Sequence, residues 1–145
     1  MATKLGLLKN MLSSMKSSKG FDKVYRKLQV LDATEGRCTL SWKVDDDLLN
    51  MQGTLHGGLI SSVIDTATTM ALTTAGKGKR GVSLELSVSY ISAAKLGEVL
   101  TIQANCKKVG NTIAFTESSI TNEDGKLIAT GKHTKFVGDV GKKES

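Results

Sequence analysis

The chain has 145 residues, 39% of them hydrophobic and 23% charged, which is the size and composition of one globular domain. Its formal net charge of +6 points to an anionic partner, but only 4% of the residues are aromatic. Because nucleic-acid platforms stack bases on aromatic side chains, we expect a phosphate-bearing small molecule as partner and no nucleic acid. No apolar run could span a bilayer and no signal-peptide core is visible, so we expect a soluble cytoplasmic protein.

The first predicted element is an amphipathic helix over about residues 3–18. Its apolar residues recur at three- and four-residue steps, and they are Leu5, Leu8, Leu12 and Met15. Four lysines precede the first acidic residue, Asp22, a feature shared with mitochondrial transit peptides. Transit peptides favour arginine, which first occurs at Arg26. We therefore predict a helix that packs on the domain, with mitochondrial association as the alternative.

Two strands are predicted next, at 24–31 and 37–44, with a turn at 32–36 between them. Cys38 lies in the second strand and Cys106 in a later one, each without a metal-binding neighbour, so we expect reduced sheet or core residues. The acidic run 45–47 predicts a solvated loop. Neighbouring carboxylates diverge too much to share a metal ion, and we expect neither a metal nor a cofactor.

The longest apolar segment, residues 50–75, predicts a mostly buried helix from Gly58 onward, because its apolar residues recur with helical spacing. This helix contains a single carboxylate, Asp65, and no Lys or Arg lies between Asn50 and Lys77 to pair with it. A buried charge costs several kcal/mol unless it has partners, so Asp65 is a candidate catalytic residue.

An imidazole and two glycines, His56, Gly57 and Gly58, stand where this helix should begin. Free N–H groups at a helix N-terminus favour a developing negative charge, as in an oxyanion hole. His56 and Asp65 are nine residues apart, which is roughly 13 Å along the axis and places them on opposite sides of a helix. If His56 belongs to the helix, one site that uses both residues takes them from two chains.

A basic loop at 76–81 and four further strands at 82–90, 98–109, 112–122 and 126–137 complete the chain, with a tail from 138 to 145 that we expect to fray. Alternation in the first of these strands places Ser83 on its polar face. A long apolar helix and about six strands predict an α+β fold, an antiparallel sheet wrapped around one central helix, within a single domain spanning residues 1–145. The exposed edge of such a sheet favours pairing of subunits.

The string N-x-x-G-T-L-H-G-G from Asn50, followed by a helix with Asp65, resembles the hotdog-fold acyl-CoA thioesterases. Further similar segments are 81–83, 90–92, 94–98, 114–116, 125–129 and 131–135. The resemblance implies a hotdog fold, a dimer assembled further to a homotetramer, and hydrolysis of medium- to long-chain fatty acyl-CoA in lipid metabolism. It implies no cofactor, because coenzyme A is part of the substrate.

The resemblance also implies roles for individual residues. The Gly57 N–H would bind the oxyanion, Asp65 and Ser83 would hold and activate water, and Asn50 and His56 would position or polarise the thioester. Direct attack by Asp65 through an anhydride is the competing mechanism. Contacts to coenzyme A fall on Ser83, Tyr90, Ile91, Ser92, Ala93, Ala94, Lys95, Lys108, Val109, Gly110, Asn111, Thr112, Ile113 and Phe136.

Three positions depart from the family pattern. Ala93 replaces a proline often found in the family, Asn111 stands where relatives can carry a basic residue, and Phe136 stands where they can carry a histidine. Phe136 would either stack on adenine or be the last core residue. Two other functions stay open, a hotdog hydratase or dehydratase and a non-catalytic acyl-CoA binding scaffold.

Overall fold

In the computed structural model, which describes residues 3–139, the chain forms two α-helices and one six-stranded sheet. The helices are α1 (Lys4–Lys16) and α2 (Gly57–Thr73), and the strands are β1 (Gln29–Thr34), β2 (Arg37–Lys43), β3 (Val82–Tyr90), β4 (Val99–Val109), β5 (Ile113–Thr121) and β6 (Leu127–Phe136). All pairings are antiparallel, in the order β1-β2-β4-β5-β6-β3. The predicted α+β hotdog architecture is confirmed.

Helix α2 packs against β2, β4, β5 and β6 and supplies the centre of the core. The helical periodicity of its apolar residues buries one face, which contains Ile60, Val63, Ile64, Ala67, Met70 and Ala71. Burial of each large side chain stabilises the fold by about 1.5–3 kcal/mol. A stripe of small and polar residues on the other side stays partly exposed, at Ser61, Ser62, Asp65 and Thr66.

Helix α1 lies against β1 and confirms the predicted N-terminal helix to within two residues. The Thr3 hydroxyl accepts a hydrogen bond from the Gly6 N–H, which caps the helix, and Leu8, Leu12 and Met15 are buried. Neither helix of residues 3–139 combines the length and the hydropathy needed to cross a bilayer.

The strand predicted at 24–31 is wrong over its first half. Phe21–Tyr25 is a 3₁₀ helix, and β1 begins only at Gln29 and continues into the predicted turn. The buried residues Tyr25 and Leu28 are three positions apart, and the Leu28 N–H donates to the Tyr25 carbonyl over 2.9 Å. Burial of the Tyr25 ring against Trp42 therefore imposes a helical spacing on this segment.

The acidic run makes ion pairs with the segment before β1. Asp45 lies 2.6 Å from Lys27, and Asp47 pairs with Arg26. Among residues 3–139, no group of three His, Cys, Asp or Glu side chains has the arrangement of a metal site. The tail that we expect to fray lies, from residue 140 onward, outside the described residues.

The two cysteines are free thiols, Cys38 buried on β2 and Cys106 half-buried on β4. Burial raises the pKa of Cys38 to about 12 and that of Cys106 to about 11. Because such thiols carry little thiolate at neutral pH, both side chains act in packing.

Candidate functional site

The imidazole of His56 caps the N-terminus of α2. Its Nδ1 accepts a hydrogen bond from the Gly58 N–H over 2.9 Å, so the proton of a neutral ring lies on the exposed Nε2 side. None of the described residues accepts a hydrogen bond from the Gly57 N–H. Residue 57 therefore presents a free donor at the positive end of the helix dipole, as an oxyanion hole requires. His56 precedes the first helical residue. The prediction that His56 and Asp65 face opposite sides of one helix assumed helical geometry at both residues, and this geometry does not extend to His56.

The side chain of Asn50 holds the loop that precedes this cap. Its Oδ1 accepts hydrogen bonds from the N–H groups of Gln52 and Thr54 at 3.0 and 3.1 Å, and its Nδ2 donates to the Thr54 hydroxyl. The amide is thus largely engaged within the loop. In this chain Asn50 shapes the approach to His56, and a direct contact with the thioester stays a prediction.

The segment 90–95, predicted to contact coenzyme A, lies beside the cap. The Leu55 N–H donates to the Ala94 carbonyl over 2.8 Å, and Thr54 pairs with Lys95 in an isolated bridge. The Tyr90 hydroxyl donates to the Gly57 carbonyl over 3.1 Å and also bonds Ser61. The structure therefore brings this part of the predicted set together with Gly57 and His56.

The carboxylate of Asp65 lies on the partly exposed stripe of α2, and its side chain is 50% exposed. The prediction of a buried carboxylate is wrong for the single chain, because the sheet covers only the opposite face of the helix. Asp65 Oδ1 lies 3.5 Å from the Thr69 hydroxyl and 3.8 Å from His133 Nδ1. At eight residues from Gly57 along α2, it is about 12 Å away along the helix axis.

Ser83 faces α2, contrary to the prediction from strict alternation. A β-bulge between Ser83 and Glu85 adds one residue, so Ser83 points to the same side as Leu86 and Tyr90. Its hydroxyl lies 2.7 Å from His133 Nε2. The bulge thereby brings Ser83 to the cluster of side chains around Asp65.

Two basic residues of this cluster, His133 and Lys135, were missed by the sequence analysis. They are 1% and 3% exposed, and Lys135 Nζ donates to the Thr69 hydroxyl over 2.6 Å. Burial lowers the pKa of both side chains, against the opposing effect of the nearby Asp65. Both residues lie an even number of positions from the buried Ala129 and Val137, so alternation along the strand places them on the same, buried face. This alternation could have identified them from the sequence.

The second predicted coenzyme A segment, 108–113, lies near the C-terminal end of α2. A cavity of about 340 Å³ there is lined by Lys77, Lys79, Gly110 and Asn111. Phe136 pairs with Ile113 and Val82 on the face away from α2, so it is not the last core residue. The two predicted segments do not meet within one chain.

Comparison with known proteins now assigns the family. A family model described as "Thioesterase superfamily" matches residues 52–129. The chain belongs to the thioesterase superfamily. Human "Acyl-coenzyme A thioesterase 13" is 40% identical over 133 residues, which are 91% of this chain and 95% of that protein.

Solved structures agree with this membership of the thioesterase superfamily. Zebra fish "Thioesterase Superfamily Member 2" is 41% identical and superposes with a TM-score of 0.90, covering 92% of this chain and 98% of its own. A hypothetical thioesterase from Streptococcus pneumoniae TIGR4, crystallised with coenzyme A, is 25% identical with a TM-score of 0.79 over 91% and 98% of the two chains. The predicted thioesterase resemblance and the prediction of a thioester hydrolase are confirmed.

Proposed function

We propose that this protein hydrolyses medium- to long-chain fatty acyl-CoA to a free fatty acid and CoA, at sites that two chains share. The observation that carries the proposal is the presence on one helix of a free Gly57 N–H donor and a half-exposed Asp65 carboxylate. Their separation of about 12 Å is too great for one thioester carbonyl. The thioesterase fold and the human relative's name support the reaction class.

The edge strand β3 supports a two-fold dimer. Val82 and Leu84 are 62% and 56% exposed, which leaves an apolar, unpaired edge. Ser83 and Tyr90 lie near opposite ends of this strand. Antiparallel pairing of two β3 strands about their middle would place Ser83 and Asp65 of one chain beside Tyr90 and Gly57 of the other.

The reaction then needs few groups. Asp65 takes one proton from a water molecule that Ser83 also holds, and the water oxygen forms a bond to the thioester carbon. The Gly57 N–H of the other chain stabilises the oxyanion, an interaction of a kind worth about a hundredfold to a thousandfold in rate. When the carbon–sulfur bond breaks, the proton passes from Asp65 to the CoA thiolate, with the exposed Nε2 side of His56 available to the leaving group.

Direct attack of Asp65 on the thioester is the competing route. A single turnover in ¹⁸O-labelled water labels the fatty acid if water attacks the thioester carbon. It labels the Asp65 carboxylate if an anhydride opens at the aspartyl carbon. An anhydride that opens at the acyl carbon also labels the fatty acid, and trapping of acylated Asp65 with hydroxylamine distinguishes that case. We expect the label in the fatty acid, because Ser83 and Asp65 lie at the same imidazole, Ser83 2.7 Å from Nε2 and Asp65 3.8 Å from Nδ1 of His133, where both can hold one water.

Binding of coenzyme A would use both predicted segments, 90–95 from one chain and 108–113 with Phe136 from the other. Lys95 and Lys108 are exposed and can donate charge-assisted hydrogen bonds to phosphates. The cavity at Lys77 and Lys79 adds positive charge near the second segment. The structure of the Streptococcus pneumoniae relative with coenzyme A supports the ligand class.

A cavity of about 240 Å³ between α1 and α2 supports an extended acyl chain as substrate. It opens beside Asp65, and its lining combines three methionines, Met11, Met15 and Met70, with the charged residues Asp22, Arg80 and Lys135. Flexible thioether side chains adapt to apolar ligands of different length, as a medium- to long-chain substrate requires.

The decisive experiment is thiol release from myristoyl- or palmitoyl-CoA. We expect Asp65→Ala to lower turnover by about a hundredfold or more, since a general base contributes about that much. Asp124→Ala, which removes an exposed carboxylate at the turn between β5 and β6, is the matched control and should keep full activity. If the wild type binds acyl-CoA saturably but releases no thiol, the protein is a non-catalytic acyl-CoA binding scaffold. A change in enoyl absorbance would indicate a hydratase.

Mixing two variants of reduced activity tests whether the sites are shared. A heterodimer of Asp65→Ala and His56→Ala chains contains one site with both residues intact. An equimolar, re-equilibrated mixture should regain about a quarter of wild-type activity. If each site were built within one chain, the mixture would have no more than the mean activity of the two variants. Sizing by light scattering would test the predicted tetramer, and cell fractionation would test the predicted cytoplasmic location and its mitochondrial alternative.

A further inference from the structure

The imidazole of His133 forms a continuous hydrogen-bonded chain between α2 and β3. It is 1% exposed; its Nδ1 lies 2.8 Å from the Thr68 hydroxyl and its Nε2 lies 2.7 Å from the Ser83 hydroxyl. Burial lowers the pKa of His133, so the ring is neutral near pH 7 and carries one proton. The position of that proton decides which neighbour donates.

The geometry around Thr68 fixes the direction of this chain. The Thr68 hydroxyl has a single proton, which is directed to the backbone carbonyls of Ile64 at 2.8 Å and Asp65 at 3.0 Å. Its oxygen therefore accepts a hydrogen bond from His133 Nδ1–H. The Asp65 carboxylate, 3.8 Å from the same nitrogen, favours a proton there as well. Nε2 is then unprotonated and accepts the proton of the Ser83 hydroxyl.

We propose that His133 is a positioning residue that makes Ser83 a hydrogen-bond acceptor for the hydrolytic water, an inference that rests on the proposed function. With its own proton held by Nε2, the Ser83 oxygen can only accept from the water. The water then donates one proton to Ser83 and the other to Asp65. Its lone pairs are left facing the thioester carbon, which is the orientation that attack requires.

The opposite tautomer would have the opposite effect. A proton on Nε2 would be donated to the Ser83 oxygen, and the Ser83 hydroxyl would then donate to the water. Donation to the water oxygen occupies a lone pair and lowers the nucleophilicity of that oxygen. The direction of the hydrogen bonds from Thr68 to Ser83 therefore affects the rate of water attack, and this effect is separate from the packing of the ring.

Nuclear magnetic resonance of the imidazole nitrogens tests the tautomer directly. The chain contains two histidines, so the His56→Asn variant leaves a single ¹⁵N-labelled ring to observe. Two-bond proton–nitrogen correlations at neutral pH should show protonated Nδ1 and unprotonated Nε2. A protonated Nε2, in a neutral or a charged ring, would overturn the proposal even if the enzyme hydrolyses acyl-CoA.

Kinetics of two His133 variants test whether the ring acts through Ser83. The short amide introduced by His133→Asn could reach Thr68 but not Ser83, whereas the longer side chain introduced by His133→Gln could accept from Ser83. We expect His133→Asn to lower kcat about threefold to tenfold with KM unchanged, the loss expected for one hydrogen bond, and His133→Gln to retain most of kcat. Circular dichroism and sizing identify any variant that fails to fold.

The Ser83→Ala background separates positioning from packing. If His133 acts through Ser83, adding His133→Asn to Ser83→Ala should cause no further loss of kcat. Equal losses in both backgrounds would show a structural role and overturn the proposal. Absence of thiol release by the wild type would instead refute the proposed function and leave the tautomer measurement standing.

Discussion

Nδ1 of His56 accepts a hydrogen bond from the backbone N–H of Gly58 over 2.9 Å. One ring therefore has two tasks, since it caps α2 through Nδ1 and presents Nε2 to the solvent beside the Gly57 N–H. The cap also satisfies the neighbouring N–H group, which leaves residue 57 as the donor that faces outward. Stability and activity can be separated at this position.

Replacement of His56 by two different residues should separate the cap from the chemistry. His56→Ala removes both functions, and we expect it to lower the free energy of unfolding by about 1 kcal/mol and to reduce turnover. His56→Asn supplies a good capping side chain without Nε2, so it should keep the wild-type stability and lose a similar part of the turnover. Urea denaturation and thiol release measure the two effects.

A stable but fully active His56→Asn enzyme would mean that the ring serves only as a cap. Equal destabilisation by Asn and Ala would mean that the hydrogen bond to Gly58 contributes little to the helix.

The close packing of β6 on α2 predicts a large effect of one methyl group. A Cβ added at Gly131 would lie 2.6 Å from Ile64 Cγ2, closer than carbon atoms can approach. We expect Gly131→Ala to lower the free energy of unfolding by about 1–3 kcal/mol, because the helix or the strand must shift. It should also lower turnover, since Ile64 adjoins Asp65 in α2 and His133 follows two residues after Gly131. Thermal denaturation and thiol release provide the measurements.

Gly20→Ala is the matched control for this substitution. The added Cβ there would have only the Ser18 hydroxyl within contact, at 3.4 Å. A Gly131→Ala protein as stable as this control would contradict the packing of α2 on β6.

Periodicity predicted most of the secondary structure. The strand at 82–90 and the helix from Gly58 agree with β3 and α2 to within one residue at their starts, because their side chains repeat with one period over many residues. The strand predicted at 24–31 is wrong in its first half because Tyr25 and Leu28 are buried with the spacing of a short helical turn, which differs from the two-residue period of a strand.

The candidate site was predictable where its residues are neighbours in the sequence. Asn50, His56 and Gly57 form one motif, and Asp65 follows on the same helix. His133 was not found because its contact with Thr68 joins residues 65 positions apart across two packed elements. Ser83 was assigned to the wrong face because no sequence pattern marks the bulge that reverses its direction.

The cavity beside Asp65 predicts a residue that limits acyl-chain length. Met11 lies on the α1 side of the cavity and is only half-buried, so a larger side chain can be placed there with little effect on the core. We expect Met11→Trp to lower kcat/KM for palmitoyl-CoA by about tenfold and to leave that for a short acyl chain unchanged. A series of acyl-CoA substrates of increasing length provides the measurement.

Leu7→Trp, on an exposed position of the same helix, is the control for a bulky substitution. Equal activity of Met11→Trp on all chain lengths would place the acyl chain elsewhere.

The buried imidazole of His133 predicts an acid-sensitive contribution to stability. Burial and the positive charge of Lys135 lower its pKa from the ordinary value of 6.5, although Asp65 acts in the opposite direction. The unfolded chain therefore binds a proton at a higher pH than the native chain does. This contribution is fully present above the unfolded-state pKa and is lost as the pH falls through the native one, with a slope of at most about 1.4 kcal/mol per pH unit.

Denaturation of the wild type and of His133→Gln, compared between about pH 7.5 and 5, should show a steeper loss for the wild type. Parallel curves for the two proteins would mean that the imidazole takes up its proton as readily in the folded state as in the unfolded chain.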